Sequence, residues 1–414
     1  MLDTSYSRIG DEFRVLDEQG ADKSAAAEAL SIAASFGRAV VVNRVPAKDA
    51  AVWEAGLQGA ANDHRYHELT HHALREQFSH HYLLLKDPSG ATRAVQPFFL
   101  VKQDIVLGMP EFVTGLVEKI RGRFPSALKL PILMVGCSAG EGHLAEEKTQ
   151  DELWVVRALG EVLPRVAREL KTELVVFKDF PKPNRAKLDH LKGFGFRRIS
   201  SMPGTKLKLN YKSFDDYFNT ALSAKMRKDL RRKFRRAATG APITMEVAED
   251  ITPFIDEAFP LYEQVVQKSK LKFEVLTKPY FTALGQKMPK KSVFLIWRQE
   301  GRMVAFNSCL AHEGVLRDNY VGFDYTVALD YHLYFLTRRD MISWAIEKGY
   351  HTYYSAPLNY DPKLHLRQEL SPLDLYVRAS RPWLNPLFRQ VLPLMEPTRY
   401  DPIIKRFANA HELA

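Results

Sequence analysis

The order of predicted secondary-structure elements repeats once along this chain of 414 residues. Each half, of about 170 residues, contains a strand, helices, a meander of strands, and then a helix, a strand, a helix and a strand. No repeat at the level of individual residues accompanies this order. The order alone therefore indicates an internal duplication of a mixed α/β unit.

This repeated order predicts an α/β fold with mixed sheets, divided into two tandem domains over residues 38–210 and 211–380. An N-terminal extension over residues 1–37 precedes them, and its Ala-rich part, residues 22–36, is predicted to be helical. Residues 381–414 are rich in proline and form a C-terminal arm.

Composition is that of an ordinary globular protein, with 46% hydrophobic and 26% charged residues. No apolar run is long enough to span a membrane, and the acidic, polar N-terminus lacks the pattern of a signal peptide. The two cysteines, Cys137 and Cys309, exclude a disulfide framework. We therefore expect a cytoplasmic protein.

The formal net charge of +10 is concentrated on one segment, SAKMRKDLRRKFRRAA (223–238), which has eight Lys or Arg residues against one Asp. Apolar residues recur at helical spacing along it, at Leu222, Met226, Leu230, Phe234 and Ala237. Ser223 is the expected N-cap. The exposed flank, which includes Arg231, Arg232 and Arg235, is either a solvated helix face or a surface that binds anions: phosphates of a cofactor, a nucleic acid or anionic lipid.

A metalloprotease pattern, HExxH, occurs at residues 67–71. It supplies two histidines, His67 and His71, one helical turn apart, and a Glu as general base, but a zinc site needs a third ligand. No Glu lies between Glu76 and Glu111 to provide one, so we predict no metal. The surrounding histidines, His64 to His81, form either a surface cluster or part of an acceptor pocket together with Tyr66.

The second half resembles the GNAT superfamily of N-acyltransferases. The resemblance is carried by three successive strands, by the helix that follows and by the next strand: SVFLIWRQ (292–299), RMVAFNSCLAHE (302–313), VLRDNYVGFD (315–324), HLYFLTRRDMISWAIEKG (332–349) and HTYYSA (351–356). The basic segment and LNYDPKLHLRQELSPLDLYVR (358–378) are similar to parts of two-domain relatives, the Fem-type aminoacyltransferases. This resemblance implies tandem GNAT-like domains.

In that superfamily the last meander strand separates from its neighbour, and the pantetheine arm of the acyl donor lies in the gap. The donor pyrophosphate lies at the N-terminus of the next helix. The resemblance places these features at Leu316–Phe323, in the loop Asp324–Tyr331 and at His332. The loop DYTVALDYH lacks the usual Arg or Gln and the spaced glycines of the phosphate loop. Fem-type enzymes also lack that loop and use aminoacyl-tRNA.

Amide formation needs a base for the amine and donors for an oxyanion. Alternation along a strand predicts that residues 318, 320, 322 and 324 share one face. The candidate catalytic residues are Asp318, Tyr320, Asp324 and Tyr354. The candidate donor- or substrate-binding residues are His312, Tyr325, His332, Asn359, Lys363, Arg231, Arg232 and Arg235.

We therefore expect an N-acyltransferase that moves an acyl group from acyl-CoA or an acyl carrier protein to an amine of an amino acid or peptide. It would hold no permanently bound cofactor. One alternative is an aminoacyl-tRNA-dependent enzyme of the Fem type. Another, of a different class, is a non-enzymatic nucleic-acid-binding protein that uses the basic helix.

Overall fold

A computed structural model describes residues 30–106, 111–145, 151, 153–269 and 271–414. The predicted extension therefore lies outside the described residues up to residue 29. The chain forms two compact units. The first runs to Met202 and takes in Pro372–Asp401 and Leu413–Ala414, and the second comprises Pro203–Ser371 and Pro402–Glu412. The predicted ranges 38–210 and 211–380 are continuous, whereas each of these units also includes a separate C-terminal stretch.

The first unit is built on a sheet of order β1-β2-β3-β4-β5-β6-β15-β7. Its strands are β1 Ser31–Ala34, β2 Gly37–Val42, β3 Ser79–Lys86, β4 Thr92–Asp104, β5 Lys129–Val135, β6 Leu174–Pro181, β7 Arg197–Ser200 and β15 Leu373–Ala379. Its helices are α1 Ala50–Gly56, α2 His64–Ala73, α3 Glu111–Arg121, α4 Trp154–Glu169, α5 Arg185–Leu188 and α12 Asn385–Val391.

The helix predicted over residues 22–36 is wrong for its described part, because Ser31–Ala34 pairs with β2 as an antiparallel edge strand. A strand partner supplied by the next residues overrides the helix propensity of alanine here. The apolar residues of α4 recur at helical spacing and belong to one buried core with residues of β5 and β6; they include Leu159, Leu163 and Val166.

The second unit has a sheet of order β14-β8-β13-β12-β11-β10-β9. Its strands are β8 Gly204–Lys208, β9 Ile243–Ala248, β10 Ser292–Gln299, β11 Arg302–His312, β12 Val315–Phe323, β13 Thr352–Ser355 and β14 Glu369–Ser371. Its helices are α6 Phe214–Thr220, α7 Ala224–Ala237, α8 Ile255–Lys268, α9 Lys278–Lys287, α10 Leu333–Glu347 and α11 Tyr360–His365.

Both sheets follow one pattern of strand directions. Antiparallel neighbours lead to a single parallel pair, β5–β6 in the first unit and β12–β13 in the second. Two further antiparallel strands complete each sheet. The expected fold class, two tandem α/β units with mixed sheets, is confirmed.

In each unit, the strand next to the parallel pair comes from a part of the sequence outside the run that forms the other strands of its sheet. β15, near the C-terminus, lies between β6 and β7 in the first sheet. β8, which directly follows the first unit, lies between β13 and β14 in the second sheet. Each sheet is therefore completed by a strand that sequence order alone would assign to the other half.

The C-terminal arm is mostly short helical turns. In the second unit, the Asn409 side chain contacts both backbone groups of Leu370, with distances of 3.0 Å to the nitrogen and 2.9 Å to the oxygen. This pair of hydrogen bonds satisfies the main chain of the short edge strand β14. Among the described residues, no helix is both long and apolar enough to cross a bilayer.

Candidate functional site

In the second unit, β12 and β13 pair for only part of their course. The parallel register runs from Val315 opposite Thr352 to Asp318 opposite Ser355. One further bond joins the nitrogen of Ala356 to the oxygen of Asp318 at 3.1 Å, while β12 continues to Phe323. The strand β12 therefore continues over residues 319–323 after its pairing with β13 has ended. This is the separation of strands that the superfamily resemblance implied.

A β-bulge lies where the strands separate. Cys309 of β11 is opposite Asp318, but the next residue back, Ser308, is opposite Tyr320, so Asn319 is the extra residue of β12. A bulge of this kind reverses the alternation of side chains beyond it. The prediction that residues 318, 320, 322 and 324 share one face is therefore wrong, and Asp318 and Tyr320 lie on opposite faces.

Asp318 is 4% exposed and belongs to a hydrogen-bonded network. Its carboxylate accepts hydrogen bonds from the Asn307 amide at 2.6 Å, from the Tyr353 hydroxyl at 2.7 Å and from the guanidinium of Arg338. Arg338, on α10, also donates to the Tyr353 oxygen at 2.8 Å. Because these donors already occupy its carboxylate oxygens, Asp318 positions its neighbours.

Lys363 of α11 is 4% exposed and lies within the field of this network. Its ammonium donates to the carbonyl oxygen of Ala356, the first residue after β13. Burial, together with repulsion by Arg338, lowers the pKa of Lys363 to about 7, although Asp318 opposes this shift. A lysine with this pKa can donate or accept a proton near neutral pH. It lies at the point where the two strands part.

The turn between β13 and α11 has an unusual backbone. Leu358 and Asn359 both adopt left-handed conformations, with φ of 74° and 52°. Asn tolerates this region, but a leucine there is rare and marks strain held by the surrounding structure. Asn359 is exposed and precedes the helix that carries Lys363. The strained turn thus sets the direction of α11, the helix that brings Lys363 to the point where β12 and β13 part.

Tyr320 and Tyr354 lie on the sheet face opposite Asp318. The Tyr320 hydroxyl donates to the Glu274 carboxylate at 2.8 Å, and its ring meets that of Tyr280 at 5.9 Å. Tyr354 is buried beneath the guanidinium of Arg317, which lies 4.7 Å from its ring centre. The structure therefore divides the predicted catalytic residues between two surfaces of the sheet.

Asp324 is held by structural contacts at the start of the loop that leads to α10. Its carboxylate accepts from the nitrogen of Thr326 at 2.9 Å and from its hydroxyl at 2.6 Å, and it forms an ion pair with Arg302 at 2.8 Å. Beside it, the Tyr325 nitrogen donates to Gln264 at 3.0 Å, and the Lys268 ammonium lies 3.6 Å from the Tyr325 ring centre. These contacts shape the loop.

The N-terminus of α10 is not an open anion cradle. Leu333 donates its N–H to the carbonyl of Ala328 at 2.9 Å, and Phe335 and Leu336 donate to that of His332 at 2.9 and 3.2 Å. Anion binding at a helix start depends on N–H groups that have no such partners. Carbonyl groups of residues 328 and 332 thus already accept hydrogen bonds from N–H groups that a pyrophosphate would need. This agrees with the absence of spaced glycines from the loop.

Helix α7 begins as predicted, because the Ser223 hydroxyl accepts from the nitrogen of Met226 at 3.2 Å. Its apolar side is buried at Met226, Leu230 and Ala237. Arg231 lies 5.2 Å above the Phe218 ring of α6, and Arg235 donates to the carbonyl oxygen of Arg231 at 3.4 Å. The helix is therefore anchored through one face and leaves its basic flank exposed.

The C-terminal end of α7 lies beside the start of α10. Arg236 pairs with Asp330 at 3.3 Å, and the Lys233 ammonium lies 3.8 Å from the Phe335 ring centre. His332 has a left-handed backbone, and its pKa is lowered by burial and then by Lys233 and Arg236. Arg232 also lowers the pKa of His332, so these two predicted residues influence each other electrostatically.

His312 lies away from this region. It is opposite Val315 at the turn between β11 and β12, the closed end of the strand pair. Its ring is 3.9 Å from the carboxylate of Glu313. The separation of β12 from β13 begins at the other end of the register, beyond Asp318. His312 therefore does not line the gap between these strands.

In the first unit the corresponding gap is filled by the chain itself. β5 and β6 pair as far as Val135 opposite Phe177. The loop GCSAGEGH (136–143) then folds against β6, and Gly142 donates to the carbonyl of Asp179 at 3.0 Å. A Cβ at Gly142 would stand 2.4 Å from the oxygen of Lys178 and 2.6 Å from the Phe180 ring. Only glycine lets this loop occupy the space.

The HExxH residues engage protein partners. His67 is 5% exposed, and burial lowers its pKa to about 3. Glu68 accepts from the Trp53 indole at 3.1 Å, and His71 stacks on His80 with ring centres 5.2 Å apart. The part of the chain that the structure describes contains no group of three or more His, Cys, Asp or Glu that could hold a metal.

Sequence reasoning missed two members of the site, Asn307 and Arg338. Arg338 lies within the buried side of α10, next to Leu336, Met341 and Ile342. A cation at a position that helical spacing places among apolar residues is a signal of a buried ion pair. Asn307 gives a weaker signal, a polar residue in the middle of a buried strand.

Residues 224–361 match the family model described as the acetyltransferase (GNAT) domain. They extend from the first residue of α7 into α11 and include the separation of β12 and β13. The resemblance stated from the sequence is confirmed over this range. It indicates a transferase rather than a non-enzymatic nucleic-acid-binding protein. No curated protein matches the sequence.

Several solved structures are similar to much of the chain. The C-terminal domain of a putative lysylphosphatidylglycerol synthetase from Agrobacterium fabrum has 13% identity and a TM-score of 0.48, covering 85% of this chain and 96% of its own. FemX has 11% identity and a TM-score of 0.49, covering 85% and 99%. A tandem GNAT protein from the clavulanic acid biosynthesis pathway has 10% identity and a TM-score of 0.43, covering 83% and 99%.

Proposed function

We propose that this chain, a transferase whose residues 224–361 form an acetyltransferase (GNAT) domain, moves an acyl group from a thioester to an amine of an amino acid or peptide. The observation that carries the proposal is the separation of β12 from β13 beyond Asp318, with Lys363 where the strands part. An extended donor arm can lie in such a gap and hydrogen-bond to the backbone of the strand beside it, as an additional strand would.

In the proposed reaction the amine nitrogen attacks the thioester carbonyl. The C–N bond forms, the C–S bond breaks, the thiol leaves, and the proton lost by the amine balances the one that the thiolate gains. Lys363 in its ammonium form donates to the carbonyl oxygen, which gains negative charge in the transition state. Hydrogen bonds with Asp318 hold Arg338 and Tyr353 in place, so that these side chains near Lys363 are positioned before the donor binds.

We assign the donor gap to the second unit alone. In the first unit the loop 136–143 occupies the corresponding space beside β6. One donor per chain is expected. Because Cys137 and Cys309 are buried free thiols, we propose that the protein works in a reducing compartment such as the cytoplasm.

The test is thiol release. The full chain is incubated with a series of acyl-CoA thioesters of increasing chain length and a pool of amino acids and dipeptides. Free thiol is followed with a chromogenic disulfide, and new amides are identified by mass spectrometry. Lys363→Gln should lower turnover at least tenfold, while the exposed Lys348→Gln should match the parent. Absence of amide product with every thioester, whether the acyl group is carried by CoA or by an acyl carrier protein, would refute the proposal.

A second candidate donor is aminoacyl-tRNA, an activated ester. The occupied N–H groups at the start of α10 favour it over free CoA, because they leave the CoA pyrophosphate without its usual donors. The basic flank of α7 suits a polyanion equally. Transfer of a labelled amino acid from charged tRNA, with no turnover of any thioester, would establish this alternative.

A further inference from the structure

The exposed side of α7 carries a row of cations. We call it the basic row; its members are Lys225, Lys228, Arg232, Arg235 and Arg236, all exposed. At 1.5 Å per residue the row is about 16 Å long. The helix has one acid, Asp229, which is already paired with Arg232 and Lys233, each at 2.7 Å. Most of the positive charge along the row thus remains for an external partner.

The row ends next to the loop that connects β12 to α10. Arg236 pairs with Asp330 of that loop at 3.3 Å. The preceding residue, Leu329, is 79% exposed, the largest exposure among the large apolar side chains that the structure describes as exposed. This apolar side chain adds a surface that a partner protein can cover beside the ion pairs of the row. The loop begins directly after the last residue of β12.

The chemistry of this surface indicates the class of partner. A single phosphate group would engage two or three of these cations, whereas a row of about 16 Å matches a helix that presents carboxylates at successive turns. Proteins that bind single-stranded nucleic acid add aromatic rings on which bases stack. The basic row has none, since Phe234 of the same helix is covered by Arg339 at 5.0 Å.

We infer that the basic row and Leu329 form the docking surface of an acidic carrier protein that delivers the acyl group on a phosphopantetheine arm. The inference rests on the proposed function, because it names the source of the thioester. The carrier's acidic helix lies along α7, and an apolar residue of the carrier covers Leu329. The arm then follows the loop to the edge of β12. Phosphate contacts come from α7, since the N–H groups of Leu333, Phe335 and Leu336 at the start of α10 already donate to carbonyl oxygens.

The experiment measures binding of a holo acyl carrier protein from a bacterial fatty acid synthase, labelled with a fluorophore, to the full chain. We expect binding that weakens at least tenfold when salt rises from about 50 to about 300 mM, because several ion pairs act together. The triple variant Arg232→Gln, Arg235→Gln, Arg236→Gln should weaken binding about tenfold. Leu329→Ser, which leaves the charge unchanged, should weaken it about threefold without altering the salt dependence.

A matched control removes three exposed lysines elsewhere in the second unit: Lys287→Gln, Lys290→Gln and Lys348→Gln. Equal losses in the control and the triple variant would overturn the inference, as would tighter binding of tRNA or of anionic vesicles than of the carrier. If the parent transfers acyl groups from acyl-CoA but does not bind the carrier, this inference fails and the proposed function stands. If neither donor supports transfer, the proposed function itself fails.

Discussion

Replacing Lys363 by methionine should stabilise the second unit at pH 7. Burial and Arg338 lower the lysine pKa from 10.5 to about 7, so at neutral pH the unfolded chain holds a proton that the folded chain holds only weakly. Such a shift costs about 4 kcal/mol of folding free energy at pH 7. Methionine, of similar length, removes this cost but loses the hydrogen bond to Ala356, worth about 1 kcal/mol. The expected gain is about 3 kcal/mol.

The gain should depend on pH with a defined sign. As pH rises from 7 toward 10.5, the lysine of the unfolded chain also loses its proton, and the stability of the parent approaches that of the variant. Hydrogen exchange of amides in β12 and β13, at pH 7 and at pH 9.5, measures the stability of the parent and of the variant. The exposed Lys348→Met is the control and should change stability by less than about 0.5 kcal/mol. The reasoning would be refuted if the Lys363→Met variant were less stable than the parent at pH 7. It would also be refuted if the gain in stability over the parent were the same at both pH values.

Three further predictions concern buried groups. His67 has a folded pKa of about 3, so the first unit should lose about 2 kcal/mol of stability between pH 7 and pH 5, where the unfolded imidazole takes up a proton. His67→Phe should abolish that part of the loss in urea unfolding, and an unchanged pH slope would contradict this. Asp318→Asn should destabilise the second unit by about 3–5 kcal/mol because it leaves Arg338 buried without its counter-ion, while Asp318→Leu with Arg338→Met should cost less. If denaturant unfolding showed the double variant to be less stable than Asp318→Asn, the result would argue against this network. Gly142→Ala should cost about 1–3 kcal/mol in the first unit because its Cβ would stand 2.4 Å from a carbonyl oxygen of β6, whereas Gly59→Ala meets nothing within 4 Å; equal thermal shifts would contradict it.

The candidate site divides into parts that the sequence predicts and parts that it does not. Lys363 was identified from the segment that follows β13, and the structure places it where the strands part. Asp318 and Tyr320 were expected side by side, yet they face opposite sides of the sheet. The cause is the bulge at Asn319, and alternation along a strand contains no sign of it, because a bulge depends on how the neighbouring strand aligns.

The buried network gives a second example. Asp318 is polar within an apolar strand, which marks it as unusual, but its three partners come from β11, β13 and α10. Nothing local to Asp318 distinguishes a catalytic carboxylate exposed to substrate from one saturated by donors. That distinction depends on side chains up to 35 residues away in sequence.

By itself the sequence determined those features that depend on nearby residues. Helix α7 runs over Ala224–Ala237 because apolar residues recur every three or four positions after a serine cap, and each of its hydrogen bonds closes within four residues. The order of strands and helices in both halves follows from similar local patterns. The tertiary structure alone decided which strand completes each sheet: β15 joins the first and β8 the second. Strand pairing joins residues that are distant in the chain and satisfies any compatible edge, so position in the sequence does not specify the partner.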